Sequence, residues 1–429
     1  MQKIIRKPLT PGVHLTCVQT DKFKTGTLSV LLLTALDADT ASKNALLPSV
    51  LRRGTAFHPD MAQIDAALAD LYGAEIVPLV QKKGEVQCLG FRAVFVDDDF
   101  LPPGTDVLER VASLLGEMLL MPNTRGGQLL AEYADGEREN LAEEIRALVN
   151  DRQRYAAERL WARMCEGERY GVGRLGSLSA VKRITAHGLT RQYRQVLASA
   201  PAEVIYCGAA DPERVERAVT YAMQALPRTG EFPLPQTQPG PVPASVRQFT
   251  EKKDVEQGQL AVGFRLERLP ETERELAVLR VLNALYGGSV TSRLFQNVRE
   301  RLSLCYDVVS AADAHKGVLA AFAGIDPGSR DAALAEILRQ MDSLRDGEIG
   351  DAELTAAKLD VIRELRALAD DPLRLADYCL DAALHGMLCA PEDLAALADT
   401  VGAEDAAAAA RGMRTDAVYF LTGGGGNDR

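Results

Sequence analysis

Hydrophobic and polar positions alternate with period two near the start of the chain and then change to a helical period. Gly12 to Val18 and Thr27 to Leu33 are short stretches rich in β-branched and apolar residues, and predict strands. A helix follows. Asp60 with Gln63 resembles a capping box, Ile64, Ala67, Leu68 and Leu71 recur at helical spacing, and Gly73 stands where the chain leaves the helix. Ala74 to Val80 and Glu85 to Val96 predict a β-hairpin turning at Lys82-Lys-Gly84, while Thr105 to Leu120 and Gly127 to Cys165 predict helices. Strands and helices in blocks are the pattern of an α+β fold, with helices packed on a mostly antiparallel sheet.

The pattern occurs twice. Gly26-Thr-Leu-Ser-Val30, a helical stretch and Gly54-Thr55 match Gly258-Gln-Leu-Ala-Val262, a helical stretch and Gly288-Ser289. Further along, Glu144-Ile-Arg-Ala-Leu148 followed by Asp151 matches Glu364-Leu-Arg-Ala-Leu368 followed by Asp371. Between the two copies, Leu226 to Pro243 is so rich in proline and glycine that neither regular helix nor central strand can form. The expected division is therefore an N-terminal half at 1–226, a Pro-rich linker at 227–245 and a homologous C-terminal half at 246–429.

Composition narrows the functional classes. The 429 residues are 47% hydrophobic and 25% charged, as in a packed globular protein, and the net charge of −11 offers no basic field to a nucleic acid or an anionic membrane. No apolar run follows the basic start Met1 to Pro8, and no stretch approaches the ~18 apolar residues of a membrane span. A cytoplasmic protein is expected. The seven cysteines are scattered without a C-x-x-C pair, which predicts reduced, buried thiols. The five histidines include no two at i, i+3 or i, i+4, so no helix offers a local zinc motif. There is no nucleophile elbow, phosphate loop or dinucleotide fingerprint, and the glycines at Gly423 to Gly426 lack the lysine and helix a phosphate cradle needs.

At Ser292-Arg-Leu-Phe-Gln-Asn-Val-Arg-Glu-Arg-Leu-Ser-Leu-Cys-Tyr-Asp-Val-Val-Ser310 the chain resembles the C-terminal half of the M16 family, which includes pitrilysin, insulinase and the mitochondrial processing peptidase. Gly173 to Thr185 with Leu189 to Tyr193, and the Glu137 to Ile145 segment with its E-x6-E spacing, resemble two further family motifs. Together with the duplication these cover nearly the whole chain. The resemblance implies two homologous α+β halves arranged as a clamshell around a peptide.

Active members carry an inverted zinc motif, H-x-x-E-H, ahead of a Gly-Thr. Aligned on Gly54-Thr55, this chain has Ala45, Pro48 and Ser49 at the two histidine and one glutamate positions, and Glu144 at the position of the third ligand. A methyl, a pyrrolidine and a hydroxyl can neither hold Zn²⁺ nor take a proton from its water. Pro48 is also expected to remove the helical bond to the Asn44 carbonyl, at a cost of ~3 kcal/mol, and to distort the backbone there. The resemblance maps onto Arg299 and Tyr306 an arginine and a tyrosine that reach the substrate in active members, where a guanidinium and a phenol donate hydrogen bonds to a peptide carbonyl. Leu294, Phe295, Val298 and Leu302 predict the buried stripe of the helix that carries Arg299, and Leu304 to Ser310 predict the next strand. The plainer alternative makes Arg299 a surface ion pair and Tyr306 a core residue.

Keeping Arg299 and Tyr306 without a zinc site matches a division of labour in bacterial heterodimeric members of the family. The resemblance thus implies a non-zinc-binding subunit, inactive alone, with no cofactor of its own. Its partner would be a zinc-bearing M16 homologue, and its substrate a peptide or unfolded polypeptide. Two other readings are carried forward: a catalytically inert peptide-binding or scaffold protein that adds a peptide to a sheet edge, and a zinc peptidase with ligands drawn from scattered His and Glu residues.

Overall fold

The alternating stretches pair into two sheets of the same design. The computed structural model describes residues 3–228 and 232–423; Thr229 to Glu231 of the expected linker and Gly424 to Gly426 of the glycine tail lie outside them. The first sheet has the order Lys3–Thr10, Val13–Gln19, Ala202–Gly208, Thr25–Ala35, Val86–Val96, Glu75–Lys83. The second has the order Arg247–Lys253, Met413–Gly423, Gly258–Leu266, Val318–Ile325, Asp307–Asp313. Every pairing is antiparallel except Val13–Gln19 with Ala202–Gly208, and Arg247–Lys253 with Met413–Gly423. The parallel pair thus sits at the same place in both sheets, and the matched segments Gly26 to Val30 and Gly258 to Val262 both fall in the strand third from the Glu75–Lys83 or Asp307–Asp313 edge. Among the described residues no helix is long and apolar enough to cross a membrane.

Local chemistry explains the individual elements. Asp60 accepts from the Gln63 amide at 2.9 Å and starts the helix Met61–Ala69, which buries Ile64 and Leu68. The hairpin turns slightly later than expected: Lys82 and Lys83 pair with Gln87 and Val86, and the reversal falls on Gly84, whose φ of 55° lies in the left-handed region. Leu28, Val30 and Leu32 face one side of the first sheet with Leu89, Phe91 and Val204, and pack against the helices Ala41–Arg52, Val107–Leu120, Ala186–Ser199 and Pro212–Met223.

The chain divides into two compact units, neither of them contiguous in sequence. The first draws on residues up to Arg146, on Val172–Gln236 and on Leu368–Leu388; the second on Ala147–Gly171, Thr237–Ala367 and the segment from Cys389. The expected split at 226 and 246 into contiguous halves is corrected accordingly. The predicted helix from Gly127 to Cys165 is likewise two helices, Ala131–Ala147 and Arg152–Met164, separated by a 3₁₀ turn at Leu148–Asn150. Asp151, in an extended conformation, caps the second helix by accepting from the Arg154 amide. The repeat does the same thing again: Asp351–Ala367 ends in a 3₁₀ turn at Leu368–Asp370, and Asp371 caps Pro372–His385.

Each capped helix therefore joins the sheet built mainly from the other half of the sequence. In the second unit Ala156, Leu160 and Met164 are buried against Ala261, Phe322 and Tyr419, and each large apolar side chain buried there contributes roughly 1.5–3 kcal/mol. The buried Arg265 donates to Asp416 at 2.9 Å and to both oxygens of Glu168 at 2.9 and 3.1 Å, while the Lys316 ammonium reaches Glu168 at 2.6 Å. In the first unit the helix Pro372–His385 lies on Ala202–Gly208 and Thr25–Ala35, with Asp377 paired to Arg92 and Asp381 to Lys83.

Candidate functional site

The residues aligned with the zinc motif lie on the helix Ala41–Arg52 of the first unit. That helix runs without interruption through Pro48, so the expected distortion of the backbone does not occur. Packing on the sheet offsets the missing bond: Pro48 is buried beside Leu32, Leu47, Leu51, Phe91 and Tyr193. Ala45 is 4% exposed and belongs to the hydrophobic core, and Ser49 is only half-buried. Asn44, also fully buried, anchors an amide network that sequence reasoning missed. Its Nδ2 donates to Thr34 Oγ1 at 3.2 Å and to Gln87 Oε1 at 3.0 Å, and its Oδ1 accepts from Gln192 at 2.8 Å. Gln87 in turn donates to the Ala41 carbonyl at 2.9 Å and to the Arg174 carbonyl at 2.7 Å.

The loop that matches a family motif at Gly173 to Thr185 reaches the start of the same helix. The Ser42 hydroxyl donates to the Leu175 carbonyl at 3.1 Å, and Gly176, at φ +71°, passes so close that a Cβ there would lie 2.1 Å from the Ser42 hydroxyl oxygen. Arg174 from this loop pairs with Glu144 at 2.8 Å. The carboxylate aligned with the third zinc ligand thus has a guanidinium as its counter-ion. Zinc takes imidazole nitrogen, thiolate sulfur or carboxylate oxygen in tetrahedral array, and Ala45, Pro48 and Ser49 supply none of these. The residues present do not fit a zinc ion. Among the described residues no three His, Cys, Asp or Glu side chains converge as a metal site elsewhere. His58 instead pairs with Glu117 at 2.8 Å, and His14 lies 3.7 Å from the buried Glu203, with burial, and then Arg6, lowering its pKa.

Arg299 and Tyr306 lie in the second unit. The helix that carries Arg299, Leu294–Arg301, is wound as a π-helix; the Leu302 amide donates to the Asn297 carbonyl at 3.1 Å. The wider turn keeps Leu294 and Val298 buried but rotates Leu302 out to solvent and leaves Phe295 half-exposed, so the expected four-residue stripe is reduced to two. Ser303 then takes the left-handed conformation at φ 50°, and the Leu304 amide reaches back to the Val298 carbonyl at 2.9 Å. This sharp exit sends the chain into the edge strand Asp307–Asp313, which starts three residues later than expected.

Tyr306 stands just before that strand and is 57% exposed, which removes the core-filling alternative. Its hydroxyl donates to Asp326 at 2.9 Å, and this bond to a carboxylate raises the phenol pKa above its usual value. The Arg299 guanidinium stacks 4.6 Å above the Phe295 ring and lies 3.7 Å from Glu300. Burial raises the pKa of Asp307, next to Tyr306, and the charge of Arg299 offsets part of that shift. The guanidinium and the phenol are therefore gathered at one end of the edge strand, both open to solvent. None of the seven cysteines is in a disulfide, and burial pushes Cys17, Cys88, Cys207 and Cys379 up to about 12 and Cys165, Cys305 and Cys389 to about 11, which makes them inert thiols near neutral pH.

Comparison with known proteins places the chain beside M16 peptidases. A sequence profile described as the Peptidase M16 inactive domain matches residues 183–360. The chain is 29% identical over 412 residues to a Bacillus subtilis protein named probable inactive metalloprotease YmfF, covering 96% of both. A conserved protein from Enterococcus faecalis V583 has the same fold at a TM-score of 0.89 and 26% identity, over 99% of this chain and 100% of that one. A peptidase M16 inactive domain from Pseudomonas fluorescens shares the fold at a TM-score of 0.79 and 15% identity, over 99% and 100% of the two chains. On these matches and its own duplicated sheets, the chain is similar to the M16 peptidases over nearly all its length, and it lacks the H-x-x-E-H motif of their active members.

Proposed function

We propose that this chain is the zinc-free subunit of a cytoplasmic, two-subunit M16-type peptidase that acts on peptides or unfolded polypeptides. The observation that carries the reading is the contrast between the two regions. Ala45 and Pro48 are buried and offer no ligand, whereas the Arg299 guanidinium and the Tyr306 phenol are exposed beside the edge strand. Zinc would be held by a homologous partner. Within such a pair the Arg299 guanidinium, and the Tyr306 hydroxyl once it turns from Asp326, would donate hydrogen bonds to a substrate carbonyl and stabilise negative charge as it develops on that oxygen. The net charge of −11 argues against nucleic acid or an anionic membrane surface as a partner.

The test is to purify this chain and a zinc-bearing homologue encoded in the same genome, and to assay a quenched fluorescent peptide with each protein alone and with the mixture. Activity confined to the mixture, with about one zinc per pair, is the expected result. A partner as active alone as in the mixture would refute the proposal. The inert peptide-binding reading draws on the open edge strand Asp307–Asp313, which has a single neighbour in its sheet; it predicts peptide affinity without turnover in any mixture.

A further inference from the structure

The π-helix Leu294–Arg301 has a second face, which Arg299 does not line. A groove of about 480 Å³ opens between this helix, the helix Arg330–Arg345 and the start of Asp351–Ala367. Arg293 closes its floor. Its guanidinium makes a two-pronged pair with Glu353 at 2.6 and 3.0 Å and donates to the Ser343 hydroxyl at 2.8 Å. That cation is fully used within the fold.

The rim is different, because two guanidiniums there share one carboxylate. Arg339 donates twice to Glu336, at 2.8 and 2.6 Å, and Gln340 donates to the same carboxylate at 2.7 Å. These bonds, Arg339's first, outweigh the effect of burial and hold Glu336 below the usual carboxylate range. Arg301 approaches Glu336 only to 3.9 Å, beyond hydrogen-bond distance. Arg301 is 60% exposed and Arg339 53%, so each keeps N–H donors directed to solvent at the rim. The next acid, Glu348, adds to the field at Arg339, but its carboxylate is engaged by the Ser343 hydroxyl at 2.6 Å. A chain with a net charge of −11 thus carries a groove lined by three arginines and two glutamates.

We propose that this groove binds a carboxylate-bearing peptide segment, with Arg301 and Arg339 taking the oxygens of an acidic side chain. The planar guanidinium fork matches a carboxylate in geometry as well as charge. The groove is larger than a bare anion requires and suits one or two residues of a peptide. Inorganic phosphate presents similar oxygens and serves as the competing source. The proposal stands apart from any catalytic role for Arg299 and Tyr306.

The experiment is calorimetric titration of the full-length chain with a blocked peptide of four glutamates, with its four-glutamine counterpart, and separately with inorganic phosphate. Arg301→Gln tests the site without disturbing a bond of the fold, and Arg339→Gln is checked for unchanged thermal unfolding before use. The glutamate peptide is expected to bind saturably, more weakly as salt rises, with at least tenfold weaker affinity in either variant and none for the glutamine peptide. Saturable phosphate binding without peptide binding would overturn the peptide assignment. Absence of binding by either probe, or peptide affinity unchanged in Arg301→Gln, would overturn the site itself.

Discussion

A histidine introduced at position 45 would have to enter space now filled by packed side chains, since Ala45 is core and the neighbouring Asn44 amide is already bonded to Gln87 and Gln192. Restoring the motif by Ala45→His, Pro48→Glu and Ser49→His together is therefore expected not to restore the site. Metal analysis after dialysis should find well under one zinc per chain. The variant should also lose about 3 kcal/mol or more of stability, because a glutamate at 48 places a carboxylate among Leu47, Leu51 and Tyr193. One tightly held zinc per chain would contradict this. Tyr306 makes a second prediction. An ionised phenol beside the Asp326 carboxylate is disfavoured, so Asp326→Asn should move the Tyr306 ionisation downward, towards the ordinary tyrosine range near ~10. Ultraviolet difference titration against Tyr306→Phe measures it, and an unmoved ionisation would contradict the bond. Motif spacing singles out Arg299, Tyr306 and the positions of the missing zinc ligands in the sequence. Phe295 under Arg299 was misread as core, and Asp326 was invisible, because the helical period was wrong for one and strand pairing brings in the other.

At the scale of elements, the two crossover helices depend on a repeated aspartate. Asp151 accepts from the Arg154 amide at 3.0 Å, and Asp371 from the Leu373 and Arg374 amides at 2.9 and 3.1 Å. Asp151→Ala and Asp371→Ala should each cost about 1 kcal/mol, read as a lower denaturation midpoint; an unchanged midpoint in both would show that packing alone holds these helices. The matched Glu144 to Asp151 and Glu364 to Asp371 segments were visible as a repeat, but that Asp151 and Asp371 each cap a helix emerges only from the structure. Their consequence was not. A helical period continues across Leu148–Asn150, and nothing in the local pattern says that the chain changes sheets there. The strands were more legible, since Thr25–Ala35 is a β-rich apolar run buried along most of its length, and burial alternates with period two from Phe91 to Val96.

For the whole molecule, duplication explains the common strand order and the parallel pair in each sheet. It also predicts that the two sequence halves do not fold separately. Residues 1–226 lack the helix Pro372–His385 over Thr25–Ala35 and Ala202–Gly208, and residues 246–429 lack Leu160 and Met164 from the second core. Expressed alone, each fragment should show weak tertiary circular dichroism and aggregate, whereas coexpression should recover a folded, 1:1 complex; independently folded fragments would contradict the exchanged helices. The function proposed for the intact chain rests on what Arg299 does in the presence of a zinc-bearing homologue. The most direct measurement is therefore the kcat of that mixture with the natural chain and with Arg299→Ala, at saturating amounts of this subunit. A fall of roughly 10²–10³, with KM and complex formation little changed, is predicted from the loss of one oxyanion donor. A kcat unchanged by the substitution would contradict the account.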